Sequence, residues 1–155
     1  MKRVLSLIIL GFFLWASCTS NAPLGGPPSI FYGEDVCDEC GMIISDSRFA
    51  SGYTTKGGVS RKFDDIGGMF VFLKKNEDDA ISLWVPDYGD QNWVKASEAY
   101  FVVPGNIISP MGHGIIAFSD KQKASQTALK FEVEILSLKE IFDVVETHDS
   151  LHKHE

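Results

Sequence analysis

Two short segments carry the side chains in this chain that could do chemistry. The first is Cys37-Asp38-Glu39-Cys40-Gly41-Met42 and the second is Ser109-Pro110-Met111-Gly112-His113-Gly114. Each sets a donor, a glycine and another donor in a row: Cys40 and Met42 in one, Met111 and His113 in the other. In an extended backbone residues two apart face the same side, so each segment can offer two donors to one point. The intervening glycine removes the side chain that would crowd a bound ion. Thiolate and thioether are soft ligands that select Cu(I), imidazole suits it as well, and no carboxylate is needed. Magnesium, calcium and manganese would call for an oxygen-rich set instead. Thioethers are neutral, so one thiolate, two thioethers and an imidazole balance a monovalent ion while letting donors leave one at a time, which suits a carrier better than a permanent centre.

Other roles for the same residues stay open at this level. A single Met42 or Met111 can be core filler, His113 in a glycine-rich loop can be a surface residue, and Cys37 with Cys40 can close a small disulfide. Cys37 and Met69 are further candidate donors, Met69 lying at helical spacing that also suits a core. His148, His152 and His154 near the C-terminus could collect metal ions but read better as a solvated tail. Four-cysteine zinc sites are excluded by a count of three cysteines.

The first residues look like an address. Lys2 and Arg3 precede the apolar run from Val4 to Leu14, and Ala16-Ser17-Cys18 follows. This is the layout of a secretory signal over residues 1–17, too short for a comfortable transmembrane span. It resembles a bacterial lipobox with Cys18 as the lipidated residue, although Trp15 stands where leucine is usual. The alternative is an ordinary signal peptide with an incidental cysteine. Residues 18–29, rich in Pro, Gly and Ser, read as the lipidated Cys and a flexible tether of at most ~40 Å. Lipid chains on Cys18 would hold the protein at a membrane surface, exported and facing the periplasm or the cell exterior. With Lys2 and Arg3 removed, twelve basic residues face 21 acidic ones, a net charge of −9, and no basic stripe remains. Nucleic acid is therefore excluded as a partner.

The elements that must position the donors form an α+β pattern. Phe49–Thr54 and Val59–Phe63 are β-prone runs around a Lys56-Gly57-Gly58 turn. Asp64–Lys75 has helical spacing, and Ile81–Val85 reads as a strand ended by Pro86. Tyr100–Val103 and Gly114–Phe118 predict two more strands, Ser119–Lys130 a helix capped by Ser119 or Asp120, and Phe131–Leu136 an alternating strand. Leu138–Val145 predicts a last helix before a disordered tail. Phe63-Asp64-Asp65 matches Phe118-Ser119-Asp120, so two pseudo-repeated strand-strand-helix-strand lobes are expected. The first covers residues 30–88 and the second 89–147 with the final helix, leaving residues 148–155 as a polar tail. The two donor segments are expected in equivalent places of those lobes.

Taken in order, the lipoprotein leader, Cys40-Gly41-Met42, Phe63-Asp64-Asp65 with Met69, and Pro110-Met111-Gly112-His113-Gly114 leading into Ala117-Phe118 resemble the NosL family of copper-binding lipoproteins. That resemblance implies a fold related to organomercurial lyase and Cu(I) as the cargo. It implies Cys40, Met111 and His113 as ligands, with Met42 as a further one. It also implies receipt of Cu(I) from an upstream copper exporter or donor and its delivery to apo nitrous-oxide reductase, by a chaperone and not an enzyme. Two other functions remain to be weighed: a thiol-disulfide redox lipoprotein using Cys37 and Cys40, and a copper-buffering lipoprotein with another client.

Overall fold

A computed structural model describes residues 25–152 of the 155-residue chain, the side chains of 148–152 excepted. The expected signal peptide and Cys18 lie outside the described residues.

The chain runs β1 (Ser51–Thr55), β2 (Ser60–Phe63), α1 (Ile66–Asn76), β3 (Ala80–Pro86), β4 (Trp93–Lys95), a 3-10 turn (Ala96–Glu98), β5 (Tyr100–Val102), β6 (Ile116–Phe118), α2 (Lys121–Phe131) and α3 (Leu138–His152). Four antiparallel strands form one sheet in the order β2-β1-β3-β4, and β5 pairs with β6 in a second. This is an α+β architecture.

The pseudo-repeat is visible in the details. β1 lies between β2 and β3, and β5 lies between β6 and a single-residue bridge from Phe101 to Leu136. Asp65 and Asp120 both cap eleven-residue helices by accepting an N–H two residues on, and Glu77 and Glu132 both close those helices in the left-handed region. The carboxylates satisfy backbone donors that each helix start leaves orphaned.

Four expectations need correcting. Phe131–Leu136 is not a strand: α2 takes Phe131, Glu132 turns the chain, and β5 offers only a three-residue edge, so pairing shrinks to Leu136. Pro86 is the last residue of β3 and not the first beyond it, paired opposite Trp93 in a strand not expected from the sequence. Residues 25–29 are not tether. Trp84 Nε1 donates to the Gly25 carbonyl at 3.0 Å, and Pro28 is buried against Gly52. α3 continues to His152, so the backbone at 148–152 is helical where a disordered tail was expected.

The lobes also share their interior. The larger core cluster joins Tyr53, Phe63, Met69 and Phe70 to Phe101, Ile115, Ile141 and Val145. β4 comes from the range expected of the second lobe but pairs in the first sheet. α3 packs on α1 through Phe142 against Phe70, ring centroids 4.5 Å apart. A smaller cluster of Phe49, Val102, Ile116, Phe118, Ala124 and Ala128 lies under α2.

Candidate metal centre

The start of α1 gathers both donor segments. Asp64 and Asp65 are buried side by side between the strand-ending Phe63 and Ile66. Asp64 faces the first segment, where the thiol of Cys40 donates to Asp64 Oδ2 across 3.4 Å. Asp65 holds the second: its Oδ2 accepts from the Ser109 hydroxyl at 2.5 Å and from the Met111 N–H at 3.0 Å. Its Oδ1 meanwhile caps the helix at Gly67 N. Ser109 Oγ accepts in turn from Gly114 N at 2.8 Å, so one buried carboxylate fixes both ends of the Met111-Gly112-His113 turn.

The turn lies directly on the helix because α1 opens with two glycines. A Cβ on Gly67 would fall 2.2 Å from His113 Cγ, and one on Gly68 2.5 Å from Met111 Sδ. Both separations are far inside van der Waals contact. The imidazole and the thioether are thus seated in the space that two side chains would otherwise fill.

The thiol segment is a turn closed at its base by a bridge between Val36 and Ile43, with Cys37 N donating to the Met42 carbonyl at 2.8 Å and Gly41 N to that of Cys37 at 3.0 Å. Gly41 and Gly112 both take positive φ, +74° and +81°. The donors beside them are therefore arranged by left-handed turns, and the expected extended backbone is corrected. Asp38 ties the loop to β2, with its N–H on the Lys62 carbonyl and its carboxylate accepting from Lys62 N at 2.7 Å and Arg61 at 3.2 Å.

Cys37 and Cys40 are free thiols. Cys37 is buried, and Cys40 is half-buried at the edge of the larger core cluster, as is Met111. Burial pushes the Cys40 thiol up to about 12, with Cys37 and Asp64 nearby adding to the rise and a hydrogen bond from the Met42 backbone opposing it. Met42 is 47% exposed, on the outer side of the turn, and Met69 is fully buried in the core. The structure thus brings Cys40, Cys37, Met111 and His113 to one helix start and leaves Met42 outermost.

The residue missed from sequence is Asp64. The sequence places it in the Phe63-Asp64-Asp65 match and at a helix start without making it a candidate donor, yet it is 2% exposed and its Oδ1 is buried without a partner. Its signal was an acidic pair wedged between Phe63 and Ile66, where a capping role needs only one carboxylate.

The two segments do not occupy equivalent places in the repeat, as had been expected. Cys37–Met42 precedes β1, whereas Met111–His113 lies between β5 and β6, where the first lobe has its Lys56-Gly57-Gly58 turn.

Comparison with known proteins gives the family and the fold. The family described as NosL matches residues 28–145. A copper-binding lipoprotein NosL from Stutzerimonas stutzeri is 28% identical over 124 residues, 74% of this chain; the match spans 65% of that relative, just under two thirds. The crystal structure of the copper chaperone NosL from Shewanella denitrificans superposes with a TM-score of 0.62 at 23% identity, covering 73% of this chain and 93% of that one, which shows a shared fold.

Proposed function

The chain belongs to the NosL family, and from that premise we propose that it is a lipid-anchored Cu(I) carrier whose ligands are Cys40, Met111 and His113, with Met42 closing from the outside. The observation that carries this reading is the meeting of the two donor segments on one helix start, with Asp64 against Cys40 and Asp65 against the backbone of Met111. A thiolate, thioethers and an imidazole form a soft set with little charge to spare for a divalent ion. Met42 is exposed enough to leave and return, which lets a partner's donor replace it in an exchange. No substrate bond is broken, so the activity is that of a chaperone and not of an enzyme.

The relatives' names, a copper-binding lipoprotein and a copper chaperone, support copper as cargo and a lipid on Cys18 as anchor. Among the described residues no helix is long and apolar enough to cross a membrane. The upstream partner would be a copper exporter or donor, and the client apo nitrous-oxide reductase. The thiol-disulfide alternative is disfavoured by geometry. A redox pair of this spacing opens a helix whose N-terminus lowers the pKa of the attacking thiol. Here the pair closes a turn, and burial pushes Cys40 the opposite way.

The test is a Cu(I) titration of the reduced protein against a chromogenic chelator, with Cys40→Ala, Met111→Ala and His113→Ala in parallel. One tight equivalent in the wild type and weaker binding in each variant are expected; an affinity unmoved by all three would overturn the site. Transfer to apo nitrous-oxide reductase, followed by the reductase's copper spectrum, tests the client. Copper retained despite excess apo-reductase would favour the buffering role.

A further inference from the structure

The chain enters the described domain at the end far from the metal centre. β2 finishes at Phe63, Asp64 and Asp65 lead into α1, and the eleven residues of α1 run back ~16 Å before Glu77 turns the chain toward β3. α3 runs the same way, with Phe142 against Phe70 and Glu146 paired with Lys74. Gly25 sits beside the far end of that run. A Cβ there would fall 3.0 Å from Ile81 Cγ2 and 3.7 Å from Ser82 Oγ, at the start of β3, and its carbonyl accepts from Trp84 Nε1. From Gly25 the chain crosses the sheet, Pro28 filling the space over Gly52, and reaches Phe31 beside Lys62. Only seven residues, Cys18 to Leu24, therefore separate the proposed lipid from the point where the chain is held. Fully extended they span at most ~24 Å, well short of the ~40 Å allowed if all of residues 18–29 were free.

We propose that the end of the domain bearing the Lys56-Gly57-Gly58 turn and Ile81 rests on the bilayer and holds the metal centre away from it; this orientation rests on the lipid anchor proposed for Cys18. Bringing the start of α1 onto the membrane instead would stretch the tether along the flank of the domain, past ~16 Å of helix and then the donor turns. That leaves little slack and takes conformational freedom from every residue in the tether. The surface near Gly25 suits a lipid contact. Thr55 N donates to the Val59 carbonyl and Lys56 N to that of Asp79, so Val59 and the start of β3 share one end of the sheet. Val59 and Ile81 are 48% and 42% exposed there. Lys56 is paired with Asp79, so the contact is apolar and needs no anionic lipid. Two side chains do not hold a free protein on a membrane, but a tethered domain needs only a bias among its orientations. The larger exposed apolar surface, Phe31, Val36, Met42 and Ile43, belongs to the thiol turn and its approach, and stays clear of the lipid. Copper is then received and given above the bilayer, between extramembrane domains.

The experiment places the full-length lipoprotein, processed in cells, in phosphatidylcholine nanodiscs that carry a lipid with a chelated gadolinium headgroup. Loss of amide signals then reads each residue's nearness to the membrane surface. Intact mass, taken first, shows whether Cys18 carries acyl chains; an unacylated Cys18 overturns the anchor and this orientation with it. With the anchor present, the signals of Lys56–Val59 and Ile81 should be lost and those of Cys40, Met42, Met111 and His113 kept. Inserting about a dozen Gly and Ser residues between Leu24 and Gly25 should remove the contrast between the two ends. Val59→Ser should restore part of the signal at residues 56–59, whereas Leu129→Ser, at an 80% exposed position on α2, should change nothing. Equal loss at both ends, or loss first at Phe31, Val36 and Ile43, overturns the orientation while the anchor stands.

Discussion

Adding one methyl group at Gly67 opposes two effects whose sizes can be set against each other. Alanine is favoured over glycine inside a helix by roughly 0.5–1 kcal/mol, so Gly67→Ala would stabilise α1 if nothing stood in the way. His113 stands in the way: the new Cβ would lie 2.2, 2.5 and 2.6 Å from its Cγ, Cβ and Cδ2. The nearest of these is about 1.3 Å inside the ~3.5 Å of the closest ordinary carbon contacts. Because the overlap involves Cβ as well as the ring, a rotamer change alone cannot relieve it, and the 109–114 turn must lift. That turn is held by Asp65 through Ser109 and Met111. Overpacking a held site costs about 1–3 kcal/mol, so the net change is a loss of about 0–2 kcal/mol. Copper binding should suffer more than stability, because the imidazole is displaced by more than an ångström from its seat. A fall in Cu(I) affinity of at least about tenfold is expected, in line with the effect of disturbing the shell around a metal. Gly68→Ala should act on Met111 Sδ with a smaller stability change, since a thioether swings more easily than an imidazole. Gly105→Ala, with open space around its Cβ, is the control. Urea unfolding and competitive Cu(I) titration of the three variants supply the assay. A Gly67→Ala protein that is more stable than wild type and binds Cu(I) as tightly would refute the placement of His113 as a ligand on this helix.

Three further outcomes follow from the same geometry. Asp65→Ala removes a helix cap worth ~1 kcal/mol and strands the Ser109 hydroxyl and the Met111 N–H, so a loss of at least about 2 kcal/mol in urea unfolding is expected. Asp65→Asn, which keeps an acceptor, should lose less. Asp87 is buried, which alone would raise its pKa, yet bonds from Ser119 N and Oγ, Gly89 N and Asp90 N hold it below the usual carboxylate value. A depressed folded pKa contributes stability that is present above the unfolded value and is lost as pH falls through the folded one. Asp87→Asn should therefore be less stable at neutral pH and show a shallower acid limb below about pH 4 in pH-dependent unfolding. Arg61 bridges Asp38 and Asp78 with its side chain 30% exposed. Arg61→Ala should cost only about 1 kcal/mol after solvent screening, but speed amide exchange across residues 37–42.

Local patterning made most of the fold legible. Alternating β-prone runs and the acidic starts of Ile66–Asn76 and Lys121–Phe131 are carried by neighbouring residues, and those elements stand within two or three residues of where the sequence puts them. What escaped depends on partners distant in the chain. Trp93–Lys95 is three residues long and becomes a strand only because β3 offers it an edge. Phe131–Leu136 alternates well but meets an edge too short to pair with. The site divides in the same way. Cys40, Met111 and His113 can be named as candidate ligands from donor chemistry and spacing. Asp64 is not, because an acidic residue before a helix is ordinary until the helix start is known to be buried and a thiol is known to face it.

The departure of the donor segments from the repeat bears on why a single Cu(I) site is proposed and not two. α2 starts as α1 does, with an aspartate cap after a strand-ending phenylalanine. Yet its second and third residues are Gln122 and Lys123 where α1 has Gly67 and Gly68, so nothing can lie flat on that end of the helix. The Lys56-Gly57-Gly58 turn, equivalent to the Met111 turn, carries no soft donor and has only four residues between its strands. Thirteen residues separate β5 from β6, enough to reach the start of α1. The proposed chemistry therefore lies where the repeat is broken: a lengthened connection in the second lobe carries Met111 and His113 to the first, and the paired glycines receive them. Grafting Gly-Gly into α2 at 122–123 should accordingly create no metal affinity, since no donor-bearing turn reaches that end; a second Cu(I) equivalent in that variant would show that helix starts alone, and not the inserted turn, make the site.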